Sequence, residues 1–265
     1  MSSTKLNVRH LVIDLLIASD GAALTIRQLL LAANLFEFSD NSIRVAVTRL
    51  SSDGIIESAG RGKYQFTAQW QRWANDMCKR KQEMQPIRPW TQDYLAVFTG
   101  ALGRVNRTAL KRRERALRQY GFRELETGLF VRPDNLAQIF EETFSQLQTN
   151  GLEPEAVMFR MSHIDDNTGQ KITNLWHSET LNQTYSSISH KIQVWLAQVN
   201  QCDVEQAARE SLLLGRQAIP LLTHDPLLPP PFIDENSRNQ FVRDVQQLDQ
   251  VGQQLWQQFY ALAQV

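Results

Sequence analysis

Between residues 40 and 66 the apolar spacing changes period. Ile43, Ala46, Val47 and Leu50 recur at steps of three and four, the spacing that lines one face of a helix. After Asp53-Gly54 the stretch "IIESAGRGKYQFT" alternates instead, in two short runs around Ala59-Gly60-Arg61-Gly62. A helix whose end is punctuated by Gly and followed at once by a Gly-tipped hairpin leaves few folds open.

The residues ahead of it complete a module over 1–70. A first helix over about Asn7–Ala18 carries Val8, Leu11, Val12, Leu15 and Leu16 on one face and ends at Asp20-Gly21. Thr25 with Gln28 forms a capping-box pattern that opens a second helix through about Phe36, and Ser39 or Asp40 caps the third. Three helices and a hairpin in this order predict an N-terminal winged helix-turn-helix.

Residues 71–89 read as a basic connector, a helical extension and then a linker, with Cys78-Lys79-Arg80-Lys81-Gln82 at its centre and Pro86 and Pro89 near its end. Over 90–170 the periods alternate. Tyr94–Thr99 is a strand, Asn106–Tyr120 a helix, and Arg123–Glu126 with Leu129–Val131 a strand pair. Asp134 caps a helix to about Thr149, and Ala156–Met161 is the last strand. The order βαββαβ predicts a ferredoxin-like middle unit. Over 171–265 the chain reads as a helical dimerisation and effector domain, so the fold class expected is α+β. Leu181, Tyr185, Ile188, Ile192, Trp195 and Val199 form a narrow seam suited to another helix, within this chain or across a dimer. A helix over about Val204–Leu222 follows. The prolines of "HDPLLPPPF" then interrupt, and a last helix from about Glu235 turns Phe241, Val245, Leu248, Leu255 and Phe259 inward.

The chain has 265 residues, 42% of them hydrophobic and 21% charged, as in a water-soluble globular protein with room for two or three domains. Its longest apolar stretches, such as Leu11–Ala18, are far too short to span a bilayer. Cys78 and Cys202 have neither zinc-site spacing nor disulfide-scaffold density, so a reducing cytoplasmic location is expected. Formal net charge is zero, but residues 1–123 hold 20 Lys/Arg against 10 Asp/Glu (20 − 10 = +10), and residues 124–265 hold 8 against 18 (8 − 18 = −10). That split points the first half at a polyanion, although two solvated surfaces that balance each other would give the same count.

A helix fits the DNA major groove, and its outward side chains then reach base edges. On the third helix the outward positions are Asn41, Ser42, Arg44, Val45, Thr48 and Arg49. Arg and Asn suit guanine and adenine edges, and Ser and Thr suit phosphates. Arg61 and Lys63 at the hairpin tip face the adjacent backbone or minor groove, while Tyr64 and Phe66 anchor the hairpin. The partner expected is double-stranded operator DNA.

Three stretches resemble the PaaX family, repressors of phenylacetic acid degradation operons. "SIRVAVTRLSSDGIIESAGRGKYQFT" is similar to that family's recognition helix and wing, "YGFRELETGLFVRP" to a segment of its middle domain, and "SLLLGRQAIPLLTHDPLLPPPF" to its C-terminal stretch. The order of the pieces also agrees. Arg123 and Thr127 stand where the family tends to have Gly and Pro, His177 follows Trp176 where an acid is expected, and Gly215 precedes Arg216 where an aromatic is usual. The resemblance implies a homodimeric repressor of a catabolic operon, with a small-molecule effector that releases it from DNA: an aryl- or acyl-CoA thioester such as phenylacetyl-CoA. Effector-binding candidates are Arg132, Arg160, Trp176, His177 and Arg216, with Lys171 a further cation. The alternative is an architectural or partner-recruiting DNA-binding regulator without an effector.

Other charged clusters read structurally. Lys111, Arg112, Arg113, Arg115 and Arg118 lie opposite Leu110, Leu117 and Tyr120 on one helix, a solvated basic face with Glu114 pairing Arg118, or a contact to phosphates. "HIDDNTG" is ordinary turn chemistry, although His163, Asp165 and Asp166 could suggest a metal. The βαββαβ unit also resembles the small nucleases of CRISPR adaptation, which hold a metal-binding Asp at the end of the first strand. Here that strand ends Val97-Phe98-Thr99-Gly100. With no paired carboxylates, nucleophile-base pair or phosphate-binding loop, neither an enzyme nor a cofactor or metal site is expected.

Overall fold

A computed structural model of the chain describes residues 6–19, 21–82 and 86–262. Asp20 and residues 83–85 of the expected connector lie outside them. The fold is α+β, largely helical, with two small antiparallel sheets. The chain forms two compact units that do not follow sequence order. One comprises residues 1–83, 188–223 and 241–265; the other comprises 84–187 and 224–240.

The first unit opens with α1 (Val8–Ala18), where the Asn7 side chain accepts from the His10 N–H and satisfies one of the orphan donors of the helix start. β1 (Leu24–Thr25) leads into α2 (Ile26–Asn34), and the Thr25–Gln28 capping box forms as expected. Ser39 caps α3 (Asp40–Ser52) by accepting from Ser42 N–H. β2 (Ile56–Ser58) and β3 (Lys63–Phe66) form the hairpin, and the sheet order is β1-β3-β2, with Leu24 opposite Tyr64 and Ile56 opposite Phe66. At the tip Gly60 and Gly62 take φ of 117° and 70°, a region that favours glycine.

The expected helical extension is α4 (Ala68–Gln82), and it is also packed, since Ala74 is buried and buried Lys81 pairs with Asp249 at 2.7 Å. The C-terminal helices differ from the expectation. Residues 171–265 do not make one helical domain. Ala208 and Leu212 of α9 (Val204–Thr223) and Trp256 and Phe259 of α10 (Glu235–Leu262) join the core made by α1–α3 and the small sheet. The reason is surface-to-volume. A module of about 60 residues buries only about 60% of the surface its chain exposes, so additional helices enlarge a core that is marginal alone.

The second unit contains β4 (Tyr94–Phe98), α5 (Arg107–Gln119), β5 (Arg123–Glu126), β6 (Leu129–Pro133), α6 (Phe140–Thr149), β7 (Val157–Met161) and α7 (Asp166–Thr173). The four strands lie in the order β5-β6-β4-β7, all neighbours antiparallel. Leu95, Val97, Phe130 and Met158 pack with Leu117, Phe122 and Leu147 in one core. Asp134 does not cap α6. Its carboxylate is buried and pairs with Arg88 and Arg160 at 2.6 and 2.7 Å, and the helix starts six residues later, after Ile139. Asp165 caps α7 by accepting from Thr168 N–H, so "HIDDNTG" is a helix start.

α8 (Ser178–Gln198) contributes its first residues to the second unit and the rest to the first. Of the expected seam, Tyr185, Ile192, Trp195 and Val199 are buried within this chain. These four are intrachain core, while Leu181 and Ile188 are half-buried.

Candidate nucleic-acid interface

α3 turns two faces in opposite directions. Ile43, Ala46, Val47 and Leu50 are buried against the core shared with α1 and α2, while Asn41, Arg44, Val45, Thr48 and Arg49 are exposed. The helix period therefore assembles five of the six expected contact residues on one open face. Ser42 is the exception: half-buried, it spends its backbone N–H and its hydroxyl on Ser39, the hydroxyls 2.8 Å apart. Thr48 donates to Arg44 O at 2.9 Å, so its hydroxyl is also committed within the helix. Arg61 and Lys63 are exposed in the β2–β3 hairpin, while alternation on β3 buries Phe66.

This face and the hairpin carry exposed cations without counter-ions, as α5 does at Arg107, Lys111 and Arg115 among the described residues. Arg44, Arg49, Arg61 and Lys63 form no ion pair among the described residues. By contrast Arg9 is paired to Asp53, and Arg113 is buried on α5 with Glu153 at 2.7 Å. The expected solvated basic face of α5 is thus corrected at Arg113, while Arg118 does approach Glu114, at 3.7 Å. Arg113 lowers the Glu153 carboxyl below its ordinary range, chiefly through the hydrogen bond it donates.

The effector candidates fall in both units. Arg132 is 1% exposed, and its guanidinium donates to Tyr120 O, Pro133 O, Asn135 Oδ1 and Pro226 O. Burial pulls it down to about 9, so it stays charged at neutral pH, with four acceptors around it. Trp176 is buried, donates from its indole to Gly121 O at 2.8 Å, and packs on Phe232 at 5.3 Å beside Trp90 and Tyr94. Arg160 is held by Asp134, and Lys171 approaches Glu126 at 3.3 Å. His177 is exposed in a left-handed conformation. Arg216 belongs to the other unit, paired with Asp14 of α1. Arg132 and Trp176 thus have partners within the second unit, and Arg216 has its partner within the first.

The fold has a known counterpart. The chain is similar to a solved structure, "Uncharacterized protein Rv0674 from Mycobacterium tuberculosis", with a TM-score of 0.66 and 17% identity over 98% of this chain and 99% of that one. At that identity the likeness concerns the fold. No family model matches the chain, and none of the curated proteins matches it.

Little in the sequence pointed to one buried polar cluster of the second unit, around Asp225. Asp225 accepts from Arg238 Nε and from the Tyr185 hydroxyl, both at 3.0 Å, and from Leu227 N–H at 2.7 Å. The signal was faint: an Asp inside "HDPLLPPPF", whose Leu228 and Phe232 are buried as core. No helix of the described residues is long and apolar enough to cross a membrane.

Proposed function

We propose that the chain is a DNA-binding transcriptional repressor of a catabolic operon, acting as a homodimer on a palindromic operator. In this reading α1–α3 with β1–β3 are a winged helix-turn-helix, α3 enters the major groove, and the β2–β3 hairpin is the wing. The strand order of the second sheet, second-third-first-fourth in chain order, supports reading that unit as ferredoxin-like. The observation that carries the reading is the unneutralised set Arg44, Arg49, Arg61 and Lys63 on an open helix face and the adjoining hairpin. Phosphates supply the counter-charge that the protein does not. The test is selection from random duplexes by the full chain, then titration of the enriched sequence against a scrambled duplex. An enriched palindrome bound at least 1,000-fold tighter is the order expected of a specific reader; equal affinity for both duplexes overturns the reading.

The effector is proposed on the PaaX resemblance: an aryl- or acyl-CoA thioester such as phenylacetyl-CoA, bound in the cytoplasm. Calorimetry with phenylacetyl-CoA, phenylacetate and CoA, followed by operator release, tests it. An effector that releases DNA must favour the DNA-free conformation. A second reading, a DNA-binding regulator without an effector, is favoured by the engagement of Arg132, Arg160 and Arg216 with groups of the chain itself. Absence of heat and of release with the thioester supports that second reading.

A further inference from the structure

We propose that Val45 reads the 5-methyl group of a thymine, so that each operator half-site carries thymine where the centre of α3 meets the groove. The inference rests on the DNA-binding reading and adds a base to it. Val45 is 40% exposed on a helix face that is otherwise polar. A β-branched side chain there is a poorer helix former than Ala, and its outward part is not covered by the chain. Solitary exposed apolar side chains are common, and Val105, 98% exposed in a loop, is one. What sets Val45 apart is its surroundings. On the helix surface its neighbours three and four positions away are Asn41, Ser42, Thr48 and Arg49, and Arg44 precedes it.

These neighbours narrow the ligand. Arg44 and Arg49 have no acidic partner among the described residues, and the Thr48 hydroxyl gives its proton to Arg44 O, leaving it only acceptor capacity. The face therefore offers guanidinium, amide and hydroxyl groups around one apolar spot formed by the Val45 side chain. Of the features displayed in the major groove, only the thymine 5-methyl is apolar; the others are hydrogen-bond donors or acceptors. A hydrogen-bonding base edge set against Val45 would lose its water without a substitute, so thymine is preferred both by attraction and by exclusion.

The experiment uses the full chain and the duplex it selects from a random pool. Each thymine is replaced in turn by uracil, which removes the methyl and nothing else. Burying one methyl is worth about 0.8 kcal/mol, or about fourfold in affinity. The unaltered chain should lose about fourfold at one thymine per half-site. The Val45→Ala chain should bind the thymine duplex correspondingly more weakly and discriminate less than about twofold there. Affinity insensitive to uracil at every position overturns the proposal, and so does discrimination that survives in Val45→Ala. The uracil comparison needs no variant, so it decides even if Val45→Ala folds poorly. A pool that enriches no sequence removes the DNA-binding reading and this inference with it. Specific binding that ignores the methyl removes this inference alone.

Discussion

Asp225 Oδ2 lies 3.0 Å from Arg238 Nε, and both side chains are 2% exposed. The pair joins the loop after α9 to the first turn of α10 inside the second unit, and Tyr185 donates to the same carboxylate. Breaking a buried pair leaves a charge with neither water nor partner. Arg238→Ala is therefore expected to cost about 3–5 kcal/mol in urea unfolding. A loss under about 1 kcal/mol would show that Asp225 finds other compensation.

Removal of Arg44 or Arg49 should act on sequence discrimination. Each Ala variant is expected to lose about 1–3 kcal/mol on the selected duplex and to relax base preference. Lys63→Ala should weaken binding to every duplex and reduce the salt slope by about one. Titrations on selected and scrambled DNA at several salt concentrations check both. Equal losses on both duplexes for all three variants would contradict this division.

Gly121 is constrained twice. Its φ is 78°, and a Cβ built there would lie 2.7 Å from Pro226 O and 3.3 Å from an Arg132 guanidinium nitrogen. Gly121→Ala is expected to destabilise by at least about 1–3 kcal/mol from the backbone alone. Thermal melting checks this, and an unchanged midpoint would contradict it.

Stability should fall at alkaline pH. Burial raises the phenols of Tyr185 and Tyr260, and the Asp225 charge raises Tyr185 further. The unfolded chain releases these protons near pH 10, while the folded chain retains them, so the unfolded state gains as pH rises. The contribution is complete below about pH 10 and shrinks above it, by up to about 1.4 kcal/mol per pH unit for each group. Urea unfolding between about pH 9 and 11 should show the decline, and Tyr260→Phe should flatten it.

Local chemistry determined the elements. The 3.6-residue period fixed the buried and open faces of α3, Thr25 with Gln28 fixed the start of α2, and the glycines fixed the hairpin tip. Each rests on interactions within a few residues, so each was legible along the chain. The outward side chains of α3 were legible for the same reason, since a helix that buries one face exposes the other.

Only the tertiary structure decided who shares a core with whom. α9 and α10 return to pack on α1–α3, and the loop with Asp225 and Pro226 supplies partners for Arg238 and Arg132 of the second unit. Asp134 has the composition of a helix cap and serves as a buried counter-ion, because Arg88 and Arg160 reach it from positions distant in sequence. Lys81 and Arg113 likewise lie in basic runs that suggest solvent, and are buried by Asp249 and Glu153. Periodicity says which face of an element is apolar. It does not say which distant carboxylate will make burying a cation favourable, because that depends on a contact made only when the chain has folded.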